Sequence, residues 1–152
     1  MLQTSPNGKA FIAKNEGTCL VIKPDNKGPQ IGHGHDLTPQ EQQTKIVYGI
    51  DVSNGITNSQ ADYILDQDLK LVYDPALNRL LPPTANQNQV DSCSDFVYNE
   101  GSVRLATMLH HGWSQVPYQM PAWVYGEIDG VETKMPGLVA RRAAEVALFN
   151  AV

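Results

Sequence analysis

Apolar residues along this chain keep a helical period except in one early stretch, where turn residues break it up. Ser5-Pro6 opens the first helical segment with a cap oxygen followed by proline at the first helical position. Ala10, Phe11 and Ile12 supply its apolar surface, it runs to about Asn15 or Glu16, and Gly17 marks its end. Between 17 and 36 the chain carries Gly17, Pro24, Asp25, Asn26, Gly28, Pro29, Gly32 and Gly34, with short apolar pieces such as Leu20-Val21-Ile22 among them. That profile predicts a small, turn-rich antiparallel sheet. Thr38-Pro39-Gln40-Glu41 has the capping-box pattern and predicts a short helix to about Tyr48. A second box, Thr57-Asn58-Ser59-Gln60, opens a long helix through Leu71, with a bend or break at Asp74-Pro75. Ala61, Ile64, Leu65 and Val72 form its apolar stripe, and Asp68 falls on the same stripe. A third box, Thr84-Ala85-Asn86-Gln87, starts a helix that carries Val90, Cys93, Phe96 and Val97 to a break at Gly101. Further helices are expected over about 102–110 and 136–149, with a hairpin at Asp129-Gly130 between them.

The fold class expected from this pattern is α+β and mainly helical, with one small sheet near the front. At 152 residues the chain can bury a real core as a single domain. The sheet-containing lobe would cover about 17–56, and a long helix over about 58–73 would connect it to a helical lobe built from 1–16 and 76–152. Composition changes little: 41% hydrophobic and 18% charged residues describe an ordinary globular protein. The net charge of −5 argues against nucleic acid as a partner. Cys19 and Cys93 lie far apart with no CxxC pair or metal-ligand spacing, and two lone apolar thiols are the simpler account. The start, Met1-Leu2-Gln3-Thr4-Ser5-Pro6, has neither a basic nor an apolar signal region. No apolar run reaches the ~18 residues of a membrane span.

Two carboxylates stand out by position. Glu16 ends the first helix, and Asp25 lies in the turn-rich segment beyond it. A glycosidase needs one carboxyl group kept protonated for the leaving oxygen and a second, ionised one to activate water or attack the sugar. On spacing alone, a solvated helix-end glutamate and a turn-forming aspartate explain the pair more simply. In Ile31-Gly32-His33-Gly34-His35-Asp36, a His-x-His pair could bind metal with Asp25 or Asp36. The better account pairs His35 with Asp68, because a carboxylate on a buried stripe needs a partner.

Asn15-Glu16-Gly17, then Pro24-Asp25, then Gln30-Ile31-Gly32-His33-Gly34-His35 resembles the active-site stretch of glycoside hydrolase family 24, which includes T-even phage lysozymes and lambdoid endolysins. Thr4-Ser5-Pro6-Asn7-Gly8 resembles the lambdoid start. Thr57 to Asp68, Asn88-Gln89-Val90-Asp91, Phe96-Val97-Tyr98-Asn99-Glu100-Gly101 and Pro136 to Glu145 come in the family's order, so the set spans nearly the whole chain. The resemblance implies a lysozyme-like fold and a muramidase that cuts the β-1,4 bond between N-acetylmuramic acid and N-acetylglucosamine in bacterial peptidoglycan. Glu16 matches the family's general acid and Asp25 the carboxylate that activates water in an inverting mechanism. Tyr98 and Asn99 match substrate-binding positions in the cleft, and His35 is a third expected substrate contact. Arg141 is the better match, by its spacing to Phe149, for the arginine that supports the glutamate; Arg142 is the alternative. Asp68 would give structural support. The resemblance implies a monomer with no cofactor, metal or membrane insertion, made in the host cytoplasm without a signal and acting on the cell wall after release.

Four departures from the family pattern matter. Gln30 stands where a threonine usually helps hold the nucleophilic water, and the preceding loop is a residue shorter. His33 replaces a tyrosine or another bulky side chain. Asn15 replaces an apolar residue before the glutamate, and the chain is acidic where many relatives are basic. Two other functions are therefore weighed beside the muramidase: a catalytically weakened peptidoglycan-binding module of the same fold, and a zinc amidase using His33 and His35.

Overall fold

The computed structural model describes residues 1–24 and 28–151, so the expectations placed on Asp25 and Asn26 lie outside the described residues. The chain divides into two compact units, Lys9–Val72 and Met1–Gly8 with Tyr73–Val152. Helices dominate and the sheets are small and antiparallel, which is the α+β class expected from the pattern.

The unit Lys9–Val72 takes most of α1 (Pro6–Glu16), whose end at Gly17 is marked by a φ of 74°. Three strands come next, β1 (Cys19–Lys23), β2 (Gln30–Gly32) and β3 (His35–Asp36), paired antiparallel in that order. Cys19 faces Gly32, Gln30 faces Asp36 and Ile31 faces His35. The helix expected to reach Tyr48 is shorter: α2 is Pro39–Thr44, closed by the Thr38–Glu41 capping box and stopped by Lys45 in the left-handed region at φ 58°. A two-residue hairpin replaces its last turn, β4 (Ile46–Val47) and β5 (Ile50–Asp51). β-Branched residues favour extended backbone, and Val47 becomes fully buried there. Tyr48 (φ 47°) and Gly49 (φ 84°) supply the two positive φ angles such a turn demands.

α3 (Asn58–Asp68) starts at the Thr57–Gln60 box and buries Ala61, Ile64, Leu65 and Asp68. Its core, with Ile31, Leu37, Val47, Val52 and Ile56, is the hydrophobic cluster of this unit. Helical structure continues past Asp68 through a π turn, Leu69–Tyr73, into α4 (Asp74–Leu80). Pro75 has no N–H for the ordinary ladder, and the wider turn carries the chain past it without a break. The extra residue in that turn rotates the helix face. Leu69, four residues after Leu65, stays on the buried face, whereas Val72, expected on the apolar stripe, is 53% exposed.

The other unit is centred on α5 (Gln87–Glu100), where every residue from Val90 to Val97 is buried. Burial all round marks a helix enclosed by its neighbours rather than a surface helix. Its cap lies two residues beyond the expected Thr84 box: the Asn86 side chain accepts from the Gln89 N–H at 2.9 Å, and Gln89 Oε1 accepts from Asn86 N–H at 3.0 Å. α6 (Ser102–Leu109), short helical turns over Trp113–Gln115 and Met120–Ala122 around α7 (Val116–Gln119), and α8 (Pro136–Phe149) complete the helical set. The helical turns between 113 and 122 were not expected. The hairpin β6 (Tyr125–Ile128) and β7 (Val131–Lys134) turns at Asp129-Gly130 as expected. Leu77, Val90, Cys93, Phe96, Leu105, Met108, Met120 and Phe149 are among the residues of this unit's core. Cys19 and Cys93 are both free thiols, and burial raises the Cys93 pKa, so this thiol stays protonated.

The first residues are tied to this second unit by side chains rather than by a ladder. Leu2 and Asn78 exchange two hydrogen bonds, at 2.7 and 2.6 Å. Thr4 donates to Asp74 from N–H and hydroxyl, at 3.1 and 2.7 Å. Asp91 accepts from the Ser5 N–H at 2.8 Å, from the Ser5 hydroxyl, and from Gln87 Nε2 at 2.9 Å. Ser5 Oγ in turn accepts from the Gly8 N–H and caps α1. Asp91→Ala removes one buried acceptor from three donors, and urea unfolding is expected to show a loss of roughly 3 kcal/mol. A change within about 0.5 kcal/mol would mean that the tie does not hold the segment.

Candidate active site

Glu16 is the last residue of α1, and its backbone is set by the helix end: the Gly17 N–H donates to Ala13 O at 2.9 Å. Its carboxyl lies directly against Gly34. A side-chain carbon at position 34 would stand 2.9 Å from Glu16 Oε2 and 3.3 Å from its carboxyl carbon. Gly34 also has a φ of 85°, a conformation that a side chain disfavours by about 1–2 kcal/mol. Two independent demands thus fix glycine here, and both keep the wall beside the carboxyl bare.

His33 and His35 flank Gly34 and send their rings to two different carboxylates of α3. His33 is 6% exposed; its Nδ1 meets Gly17 O at 2.9 Å and Thr18 Oγ1 at 3.2 Å, and its Nε2 meets Asp62 Oδ1 at 2.9 Å. The expected pairing of His35 with Asp68 is present: Nδ1 contacts both oxygens, at 2.8 and 3.0 Å. His35 Nε2 reaches Glu41 Oε2 at 3.3 Å, and the Tyr48 hydroxyl donates to Asp68 Oδ1 at 2.7 Å. Sequence reasoning missed Glu41 and Tyr48 as partners here, although Glu41 was visible as the closing residue of a capping box. It also missed Asp62, which no local pattern marks. Burial lowers the His35 pKa, but the hydrogen bond and charge of Asp68, then those of Glu41, outweigh it and leave the pKa raised. Burial likewise raises the Glu41 pKa, while the Thr38 hydrogen bonds and the His35 charge outweigh it and leave it lowered.

Gln30 stands at the start of β2, half-buried, and its amide nitrogen donates to Asp36 Oδ1 at 2.6 Å across the strand pair. A carboxylate only accepts, so this bond fixes the amide orientation and makes Oε1 the end left for a further donor. Asp25 lies outside the described residues.

The other unit holds Tyr98, Asn99 and both arginines. The Tyr98 ring packs on Tyr73, with centroids 4.7 Å apart. Asn99 Oδ1 accepts from Arg142 Nη2 at 2.6 Å. Arg141 forks onto Asp95, Nε to Oδ2 at 2.9 Å and Nη2 to Oδ1 at 2.8 Å, and its Nε lies 3.7 Å from Glu145. Arg142 lies 3.1 Å from Glu145 and stacks 4.7 Å from the Phe96 ring centre. Burial, then the hydrogen bond and charge of the neighbouring Asp95 carboxyl, push the Glu145 pKa up, and the charges of Arg142 and Arg141 offset part of that rise. Among the described residues there is no group of three or more His, Cys, Asp or Glu side chains arranged to hold a metal.

A carboxyl held at a helix end against a small antiparallel sheet, in a mainly helical chain, is an arrangement that suits a glycosidase, and comparison with known proteins gives the class as lysozyme. The phage lysozyme family profile matches residues 13–145; the chain belongs to this family and is a glycoside hydrolase of the lysozyme type. The chain is 28% identical to the endolysin of Acyrthosiphon pisum secondary endosymbiont phage 1 over 98% of its own length and 99% of that protein's. Among solved structures it is similar to a single-residue mutant of P22 lysozyme, with a TM-score of 0.76 and 28% identity over 99% of this chain and all of that one. The muramidase domain of SpmX from Asticaccaulis excentricus shares the fold, with a TM-score of 0.81 and 24% identity over the whole of both chains.

Two outcomes test this geometry. Raised above 6.5, the His35 pKa adds stability that is complete below the unfolded value and disappears as pH rises through the folded one. His35→Asn should therefore cost roughly 3 kcal/mol in urea unfolding at about pH 5.5, and clearly less at about pH 9. Equal losses at both values would mean that the ion pair is not the source. Gly34→Ala should lower kcat more than about tenfold, because the new methyl displaces the Glu16 carboxyl, while unfolding shifts by only about 1–2 kcal/mol.

Proposed function

We propose that this chain is a muramidase that hydrolyses the β-1,4 bond between N-acetylmuramic acid and N-acetylglucosamine in bacterial peptidoglycan. Glu16 is the general acid that protonates the leaving oxygen, and Asp25 activates the attacking water. The observation that carries the reading is the Glu16 carboxyl, held at the end of α1 directly against Gly34, where a side-chain carbon would meet it at 2.9 Å. Membership of the phage lysozyme family supports it. In an inverting site the two carboxyl groups stand roughly 6.5–9.5 Å apart, with the water between them. Gln30 then helps hold that water: with its nitrogen committed to Asp36, Oε1 accepts a hydrogen bond from one water O–H, while Asp25 takes the proton of the other as the oxygen lone pair attacks the anomeric carbon.

Tyr98 and Asn99 supply sugar contacts in this reading, and Arg141 supports Glu16. Arg141 is fixed by its fork onto Asp95, and Arg142, the alternative, is stacked on Phe96. His35 is better assigned as a structural tie than as a sugar contact, since both its ring nitrogens face carboxylates. As an endolysin, the protein would act as a monomer on the wall after release from the cytoplasm. No helix among the described residues is long and apolar enough to cross a membrane.

The test is reducing-end release from purified peptidoglycan, with the anomeric form of the first product read by NMR. Glu16→Gln and Asp25→Asn should each lower the rate by about 10²–10⁴-fold, chelator should have no effect, and the product should carry inverted configuration. Wall binding without new reducing ends in the unaltered protein would identify the weakened binding module instead. Chelator-sensitive release of free amino groups would identify the amidase.

A further inference from the structure

We propose that His33 is a positioning residue for the general acid, pinning the end of α1 so that the Glu16 carboxyl stays against Gly34. This rests on the assignment of Glu16 given above. The last carbonyls of a helix have no partner within the helix, and its final turn frays unless something outside accepts the task. Here the Gly17 carbonyl, one residue beyond Glu16, takes the His33 Nδ1–H at 2.9 Å. A carbonyl can only accept, so Nδ1 is the protonated nitrogen in this bond. The same nitrogen lies 3.2 Å from the Thr18 hydroxyl.

The ring itself is held from the far side. Nε2 meets Asp62 Oδ1 at 2.9 Å on α3, and Gly32, just before His33, packs on Ala61 of the same helix, where an added carbon would lie 3.6 Å from Ala61 Cα. A chain of contacts therefore runs from α3 through the imidazole to the residue after Glu16, and Gly34, next along the chain, forms the wall against the carboxyl. His33 acts through the backbone at Gly17, and a side chain with an N–H that reaches Gly17 O can keep that end of the tie, whereas an apolar ring of similar size cannot.

The experiment compares the unaltered protein with His33→Phe, His33→Gln and Asp62→Asn. It measures kcat and KM for reducing-end release from peptidoglycan, and amide hydrogen exchange at residues 15–17 without substrate. Expected for His33→Phe is a fall in kcat of about tenfold or more with KM within about twofold, together with faster exchange at those amides. His33→Gln should recover most of both, because its amide can donate to Gly17 O. Asp62→Asn, at a side chain 71% exposed and so harmless to folding, should give a smaller change of the same kind. The proposal is overturned if exchange at 15–17 is unchanged in both His33→Phe and Asp62→Asn. It is equally overturned if kcat is unchanged in His33→Phe, or if His33→Gln is as impaired as His33→Phe. Should His33→Phe fail to fold, His33→Gln and Asp62→Asn decide it: near-normal kcat in the first with a measurable loss in the second supports the tie, and no change in the second overturns it. Failure of the acid assignment is seen separately, as full activity in Glu16→Gln, while the exchange readout still reports on the tie.

Discussion

A carboxylate taken out of water must be given hydrogen bonds and a counter-charge, or it costs more than the packing around it returns. Asp68 is such a group, 5% exposed on α3, and much of its unit is arranged to supply it. His35 comes from β3 and Tyr48 from the turn between β4 and β5, so two separate segments converge on one pair of oxygens. Tyr48 adopts a left-handed backbone to do this, and its hydroxyl bond and edge contact with the His35 ring, at 5.6 Å, offset that strain. The second nitrogen of His35 then draws in Glu41, which is at once a cap of α2 and a member of the charge cluster. With His35 turned toward α3, and His33 turned toward it as well, the glycine between them is what remains to face Glu16. The place of the Glu16 carboxyl against Gly34 is thus tied to the way a buried charge is satisfied on another helix.

The other unit solves the same problem several times along α5. Asp91 accepts from the first residues of the chain, Asp95 receives the fork of Arg141, and Ser94 meets Thr4 at 2.7 Å. Glu145 shows the limit of this strategy: fully buried, its pKa is pushed up by burial and by Asp95 even with Arg141 and Arg142 beside it. These polar contacts fix directions that an apolar core alone would leave open. The fork on Asp95 in particular sets the plane of the Arg141 guanidinium.

Much of the architecture was legible in the pattern of residues, and the errors were local. The start and stop of α1, the boxes at Thr38 and Thr57, the enclosed helix from Val90 to Val97 and the Asp129-Gly130 hairpin arise from caps, period and turn chemistry, all of which act within a few residues. The misplacements arise where a local signal had a rival. Ile46 and Val47 could extend a helix or form a strand, and burial of Val47 decided for the strand. Val72 was assigned by simple helical spacing, and the π turn that carries the chain past Pro75 rotated it outward. Thr84 and Asn86 each have a glutamine three residues on, and the Asn86–Gln89 pair prevailed because Gln87 is drawn off to Gln3 O and Asp91.

The candidate site divides along the same line. The sequence by itself determined that Glu16 would end a helix, that a glycine-rich turn would come after it, and that Asp68 would need a partner for which His35 was available. Each of these depends on backbone preference or on the cost of a single buried charge. Only the tertiary structure decided that Gly34 would be the wall against the Glu16 carboxyl, that Asp62 and Gly17 would hold the His33 ring, and that Asp95 would take Arg141. Those pairings join residues distant in sequence, and nothing in the local chain distinguishes one carboxylate from another until folding selects which of them is left facing each donor.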